Sequence, residues 1–212
     1  MKYKAFLFDL NGTMINDMDY HINAWYDIVN RLGAGLTLDQ VKAQCYGKNH
    51  ELLERIFPGR FSMIEMDMMG LEKEQTYQNN FHPYLKLLPG LDKVLEKATE
   101  QGIRMAIGSA AIRYNIDFVL DGLRIRDYFK AVVGAEDVAT SKPDPQTFLS
   151  CAQQLGVAPS ECLVFEDAPK GVEAAANAGM DAVVLTTMHE AHEFNNGKNI
   201  VAYIRDYELL SW

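Results

Sequence analysis

Lys4-Ala5-Phe6-Leu7-Phe8-Asp9-Leu10-Asn11-Gly12-Thr13 is the stretch on which the reading of this chain turns. A short apolar run without polar alternation reads as a strand buried on both faces, the habit of central strands in parallel sheets. A carboxylate, Asp9, ends it. Asn11-Gly12 follows as a strong turn signal, so Asp9 stands where a rigid strand gives way to a loop.

Four further runs share this look: Arg104 to Ile107 before Gly108-Ser109, Ala131 to Val133, Leu163 to Phe165 before Glu166-Asp167, and Ala182 to Leu185. Helix-like segments lie between them. Gly90 to Gln101 has a glycine stop at Gly102, and Pro145 to Leu155 has one at Gly156. Asp144-Pro145 is a good helix start, because Asp caps and Pro fits the first turn. Strands alternating with helices predict an α/β fold with a doubly wound parallel sheet, in which ligands bind beyond the carboxyl ends of the strands.

The stretch from Asp17 to Pro83 differs: it is methionine-rich, has helical spacing and contains no run resembling a central strand. It predicts a small helical cap domain, residues 17–83, inserted after the first strand into a core made of 1–16 and 84–212. Pro89-Gly90 marks the return to the core.

The chain has 212 residues, 48% hydrophobic and 23% charged, with a formal net charge of -9. That is the balance of a globular protein. The negative charge and the lack of a basic patch oppose nucleic-acid binding, so an anionic ligand must be met by metal, lysine and backbone N–H groups. The opening apolar run is too short, and broken too early by Asp9, for a leader or a membrane span. Cys45, Cys151 and Cys162 have neither zinc spacing nor an even-numbered disulfide framework. The expectation is a cytoplasmic protein with no nucleic-acid and no membrane partner.

Four segments carry the chemistry: Asp9 to Thr13, Gly108-Ser109-Ala110-Ala111, Ser141-Lys142-Pro143-Asp144-Pro145, and Val164 to Val172 with Glu166-Asp167 at its centre. In this order, and across nearly the whole chain, they resemble the motifs of the haloacid-dehalogenase-like (HAD) phosphatases and phosphomutases. Cap length and position resemble the β-phosphoglucomutase branch. The resemblance implies a Rossmann-like core and phosphoryl transfer from a small phosphorylated metabolite, of the sugar-phosphate class, through an aspartyl phosphate on Asp9.

Magnesium (Mg2+) is the implied cofactor, held by Asp9, Glu166, Asp167 and the main-chain carbonyl of Asn11. The Ser109 hydroxyl and the N–H groups of Ala110 and Ala111 would bind phosphate oxygens as helix N-termini do, and the Lys142 charge would balance nucleophile and transferred group. In the cap, His21 matches a histidine of the mutase branch, the mutase's substrate-gripping arginine falls near His50, and no counterpart of its cap lysine is visible around Tyr77 to Asn80. Family analogy favours a monomer. Each residue also has a plain structural alternative: a strand-end Asp9, a helix-capping Glu166-Asp167 pair, a solvated Lys142, and a core or hinge histidine at position 21. The methionines from Met63 to Met69 read as cap packing; Lys48 and Arg55 read as peripheral.

One departure from the family pattern stands out. The aspartate two residues after the nucleophile, which serves the family as general acid and base, is Asn11 here. Asparagine donates a hydrogen bond but exchanges no proton near neutral pH, so help worth roughly 10²–10⁴-fold in rate is expected to be missing. The expectation is therefore a weakened magnesium-dependent phosphatase. The alternatives are a sugar phosphomutase and a binding protein that keeps phosphate and metal without turnover. Halide removal needs no magnesium, which the Glu166-Asp167 pair argues against. No Gly-x-Gly-x-x-Gly follows any strand, so a dinucleotide site is remote.

Overall fold

The computed structural model describes residues 2–194 and 197–210. The chain divides into two compact units, Met1–Asn16 with Lys86–Trp212, and Asp17–Leu85; the sequence reading places the cap at 17–83.

The first unit is built on six parallel strands: β1 Ala5–Phe8, β2 Arg104–Gly108, β3 Phe129–Val133, β4 Cys162–Glu166, β5 Asp181–Leu185 and β6 Ile200–Ile204. Their order is β3-β2-β1-β4-β5-β6, so the winding direction reverses between β1 and β4. Crevices at such a reversal are where open α/β sheets bind ligands. The reversal also explains why Asp9, just past β1, lies beside the end of β4: Leu7 pairs with Val164, and the Asp9 N–H donates to Phe165 O at 3.0 Å.

Strand β1 is wholly buried because both faces of the sheet are covered. Ala5 and Leu7 join Ala106, Phe148, Cys151 and Val164 in one cluster. On the opposite face Phe8 stacks on Phe165, with ring centroids 4.6 Å apart and planes within 8°. The alternation follows from the two-residue period of a strand.

Helices α5 (Leu91–Glu100), α6 (Arg113–Gly122), α7 (Gln146–Leu155) and α8 (Pro169–Asn177) complete this unit. Helix α7 begins as its sequence implies: the Asp144 carboxylate accepts from Gln146 N at 2.9 Å. It ends at Gly156, whose φ of +63° costs a glycine little. Strand β6 escapes the sequence reading. It is an edge strand of alternating half-buried and exposed residues, although Ile200-Val201-Ala202-Tyr203-Ile204 is itself an unbroken apolar run that the sequence reading passes over.

The second unit is helical: α1 Met18–Arg31, α2 Leu38–Lys42, α3 Asn49–Ile56 and α4 Met63–Phe81. Its core gathers Trp25, Ile28, Val29, Val41, Leu52, Leu53, Phe57 and Met66. Helix α4 starts in a reciprocal cap, Ser62 accepting from Glu65 N while the Glu65 carboxylate accepts from Ser62 N at 2.8 Å. The methionine run divides: Met66 and Met69 pack inward, whereas Met63 and Met68 are exposed. Arg55 is spent on the unit's own loop, stacking on Tyr46 at 3.8 Å and donating to Gln44 O and Tyr46 O. No helix among the described residues is long and apolar enough to cross a membrane.

Candidate active site

Asp9 projects from the end of β1 and is almost fully buried. Lys142, 133 residues away in sequence, donates from Nζ to Asp9 Oδ1 at 2.7 Å and to Glu166 Oε1 at 2.6 Å. The lysine also lies 4.6 Å from the centre of the Phe148 ring. The Lys142–Pro143 peptide is cis. Glu166 has its second oxygen engaged as well, accepting from Ala168 N at 2.8 Å. A side chain at Gly171 would meet the Glu166 carboxylate at 1.8 Å, so only glycine lets the first turn of α8 come this close.

Asp167 accepts from the Thr13 hydroxyl at 3.2 Å. It lies against Gly12, where an added Cβ would meet Asp167 Oδ2 at 2.1 Å and where φ is +74°. Glycine is therefore required twice over, for the turn and for the approach. Sequence-distant Asp9, Lys142, Glu166 and Asp167 thus come together at the strand ends.

Three buried carboxylates share one ammonium. Burial pushes the Asp9 carboxyl up to about 7; Glu166 adds to the rise, and the attraction of Lys142 only partly offsets it. Burial, then the negative charges of Glu166 and Asp9, hold Asp167 well above the usual carboxylate range. For Lys142, burial pulls the other way, but Asp9 and Glu166 outweigh it and keep the ammonium above its ordinary value.

This excess of buried negative charge suits a hard dication. Among the described residues no three His, Cys, Asp or Glu side chains form a ready-made cage. Magnesium does not need one, since it commonly takes one or two carboxylates and keeps several waters. The donor set of Asp9, Asp167 and the Asn11 main-chain oxygen fits that habit; Glu166 is tied to Lys142 and Ala168.

Ser109 follows β2 and is buried. Its oxygen accepts from Ala111 N at 3.2 Å, which leaves the hydroxyl hydrogen for an acceptor. Helix α6 starts only at Arg113, whose N–H is held by the Glu136 carboxylate at 3.0 Å. Residues 110 and 111 therefore precede the helix terminus, which the Glu136 carboxylate caps, and the Ala111 N–H is turned to the Ser109 oxygen.

In the cap unit, His21 is buried and stacked on Tyr77, ring centroids 3.7 Å apart. Lys73 Nζ lies 2.6 Å from its Nδ1, and Asp17 Oδ2 lies 3.2 Å from its Nε2. An ammonium can only donate, so Nδ1 accepts and Nε2 carries the hydrogen towards Asp17. Tyr77 donates to the same Asp17 oxygen at 2.6 Å, and Lys73 also donates to Glu74 at 2.9 Å. Lys73 is the residue the sequence reading misses, since it lies four positions before the segment searched for a cap lysine. Its signal was a lysine on the stripe Met66, Gly70, Lys73, Tyr77 and Phe81, which is otherwise a buried helix face. His50 sits half-buried in the first turn of α3.

The motif order and this geometry agree with what the chain is similar to. It is 32% identical over 182 residues to a fructose-1-phosphate phosphatase of Escherichia coli, covering 86% of this chain and 96% of that one. It is 32% identical over 189 residues to the β-phosphoglucomutase of Bacillus subtilis, covering 85% and 82%. A HAD hydrolase of family IA from Entamoeba histolytica superposes with a TM-score of 0.88 at 25% identity, over 98% of this chain and 95% of that one. The family model for haloacid dehalogenase-like hydrolases matches residues 6–185, a range that includes Asp9 and Glu166-Asp167, and the chain belongs to that family.

Proposed function

We propose that this protein is a magnesium-dependent phosphatase of a small phosphorylated metabolite of the sugar-phosphate class, working through an aspartyl phosphate on Asp9 and slowed by Asn11. The observation that carries the reading is the buried Asp9 carboxylate at a rigid strand end, held by Lys142 at 2.7 Å. A carboxylate so fixed can attack phosphorus in line, forming the Asp9–phosphorus bond as the bond from phosphorus to the leaving oxygen breaks. Lys142 offsets the charge of nucleophile and phosphoryl group, and the Ser109 hydroxyl and Ala110 N–H are placed to orient phosphate oxygens. A bound magnesium, on Asp9, Asp167 and the Asn11 carbonyl, would supply Lewis-acid relief of charge on the transferred group.

The leaving alkoxide needs a proton, and the water that later releases Asp9 needs a base. Asn11 supplies neither. Relative rates should therefore favour donors whose leaving group departs as a stable anion, and a phosphoenzyme formed from such a donor should accumulate. Relatives named as a fructose-1-phosphate phosphatase and a hexitol phosphatase support the sugar-phosphate class.

A second reading, a sugar phosphomutase, draws on the buried Lys73–His21 pair in the cap unit. His50 in place of the mutase's arginine still favours hydrolysis.

The test is phosphate release by the chain and by Asn11→Asp, with magnesium or chelator, on sugar phosphates and acetyl phosphate, residue 11 being confirmed by mass spectrometry because Asn-Gly deamidates. Asn11→Asp should gain about 10²–10⁴-fold on sugar phosphates. Isomerised sugar phosphate in place of inorganic phosphate would establish the mutase. No turnover by either folded, magnesium-binding form would leave a phosphate-binding protein.

A further inference from the structure

The loop after the nucleophile is held in an unusual way: three consecutive carbonyls accept hydrogen bonds from three distant segments. Gly12 O accepts from the Thr187 hydroxyl at 2.5 Å, Thr13 O from the Tyr207 hydroxyl at 3.0 Å, and Met14 O from Leu88 N at 2.8 Å. Two of the three donors are side chains from the C-terminal part of the chain, outside every motif that identifies the family.

Tyr207 is almost fully buried. Its ring lies against Phe8 and Phe165, with centroids 6.4 and 5.7 Å away, which are the residues flanking Asp9 and preceding Glu166. Its backbone N–H donates to Pro89 O at 2.9 Å, and an added Cβ at Gly90 would meet the backbone of Glu208 at 2.7 Å. The tyrosine is therefore clamped from both sides and presents its hydroxyl to Thr13 at a fixed place. Thr13 in turn donates to Asp167, and Gly12 abuts the same carboxylate.

We propose that Tyr207 and Thr187 are positioning residues for the cation site. By fixing the carbonyls of residues 12 and 13 they set the path of the loop, and with it the separation between the Asn11 main-chain oxygen and the Asp167 carboxylate. Outer partners of this kind orient first-sphere ligands, and their loss commonly lowers metal affinity by about 10–100-fold. The inference rests on the magnesium reading given above.

The experiment is magnesium titration by calorimetry, without substrate, on the full chain and on Tyr207→Phe, Thr187→Val and Thr187→Ser. Phosphate release is followed against magnesium concentration, and thermal midpoints are taken in chelator. Tyr207→Phe keeps the ring and removes only the hydroxyl. It and Thr187→Val should bind magnesium about tenfold more weakly and need correspondingly more magnesium for half-maximal rate; Thr187→Ser should behave as the parent. If Tyr207→Phe does not fold, Thr187→Val against Thr187→Ser decides. Folded variants that lose thermal stability yet bind magnesium as the parent does would overturn the inference and leave the phosphatase reading standing. A parent chain that binds no magnesium would sink the underlying reading and this inference together.

Discussion

Each unit of this protein buries a lysine among carboxylates, and the two clusters are built to different ends. In the core, Lys142 faces Asp9 and Glu166, with Asp167 nearby; the carboxyls of Asp9 and Asp167 are pushed up because negative charge exceeds positive. In the cap, Lys73 is shared by Glu74 and His21, Asn49 donates to Glu74 at 3.1 Å, and Tyr77 donates to Asp17. There Glu74 is held below the ordinary value: burial works against it, but the adjacent Lys73 ammonium and the hydrogen bonds from Lys73 and Asn49 outweigh the burial. Buried carboxylates short of positive charge are prepared for a cation or a reaction, whereas a carboxylate matched by its own ammonium, as Glu74 is by Lys73, serves to tie helices together.

The sharpest way to break the comparison is to remove a charge from each side. Asp9→Asn should keep the fold and, if Asp9 is the nucleophile as proposed, lower phosphate release by about 10⁴-fold or more. Retention of the parent rate would mean that the core cluster is not the reacting one. In the cap, Lys73→Met strands the Glu74 carboxylate and should cost about 3–5 kcal/mol in a denaturant titration. Combining it with Glu74→Leu should restore most of that loss, since apolar replacement of a whole buried pair is often neutral. A Lys73→Met variant as stable as the parent would show the cap cluster to be something other than a structural tie.

A smaller effect follows from pH. The value of about 7 for Asp9 in the folded protein, against an ordinary 3.8, means that the folded state holds an extra proton across that window. Stability contributed by that proton therefore falls as pH rises through about 7. In chelator, Asp9→Asn should be more stable than the parent near about pH 8, and the gap should close near about pH 4. Magnesium should narrow the gap at the higher pH by stabilising the parent. A gap independent of pH, or of the opposite sign, would remove the charge excess on which the contrast between the clusters rests.

Much of the candidate site was legible because its signals are local. Asp9, Ser109 and Glu166-Asp167 each follow an apolar run that must be a buried strand, and Lys142 lies beside Pro143 just before a recognisable helix start. Five strands are read from their hydrophobic runs, whereas β6 has an equally apolar run, Ile200–Ile204, at the sheet edge where its residues alternate between half-buried and exposed, and it goes unread. The lysine at position 73 could be seen as out of place on an apolar helix face, yet its pairing with His21 depends on how α1 and α4 pack within the cap.

What the sequence alone indicated is the succession of five of the strands with helices between them, the helical stretch after β1, the polar residues that meet at the strand ends, and an asparagine at position 11. These depend on side-chain period, turn chemistry and residue identity, all properties of short stretches. Only the tertiary structure decided that Glu136 caps α6, that Lys73 and His21 share a buried network, and that Tyr207 reaches back 194 residues to the Thr13 carbonyl. Such contacts are made by side chains whose partners are fixed by packing, and no local pattern encodes a partner that the fold has yet to bring near.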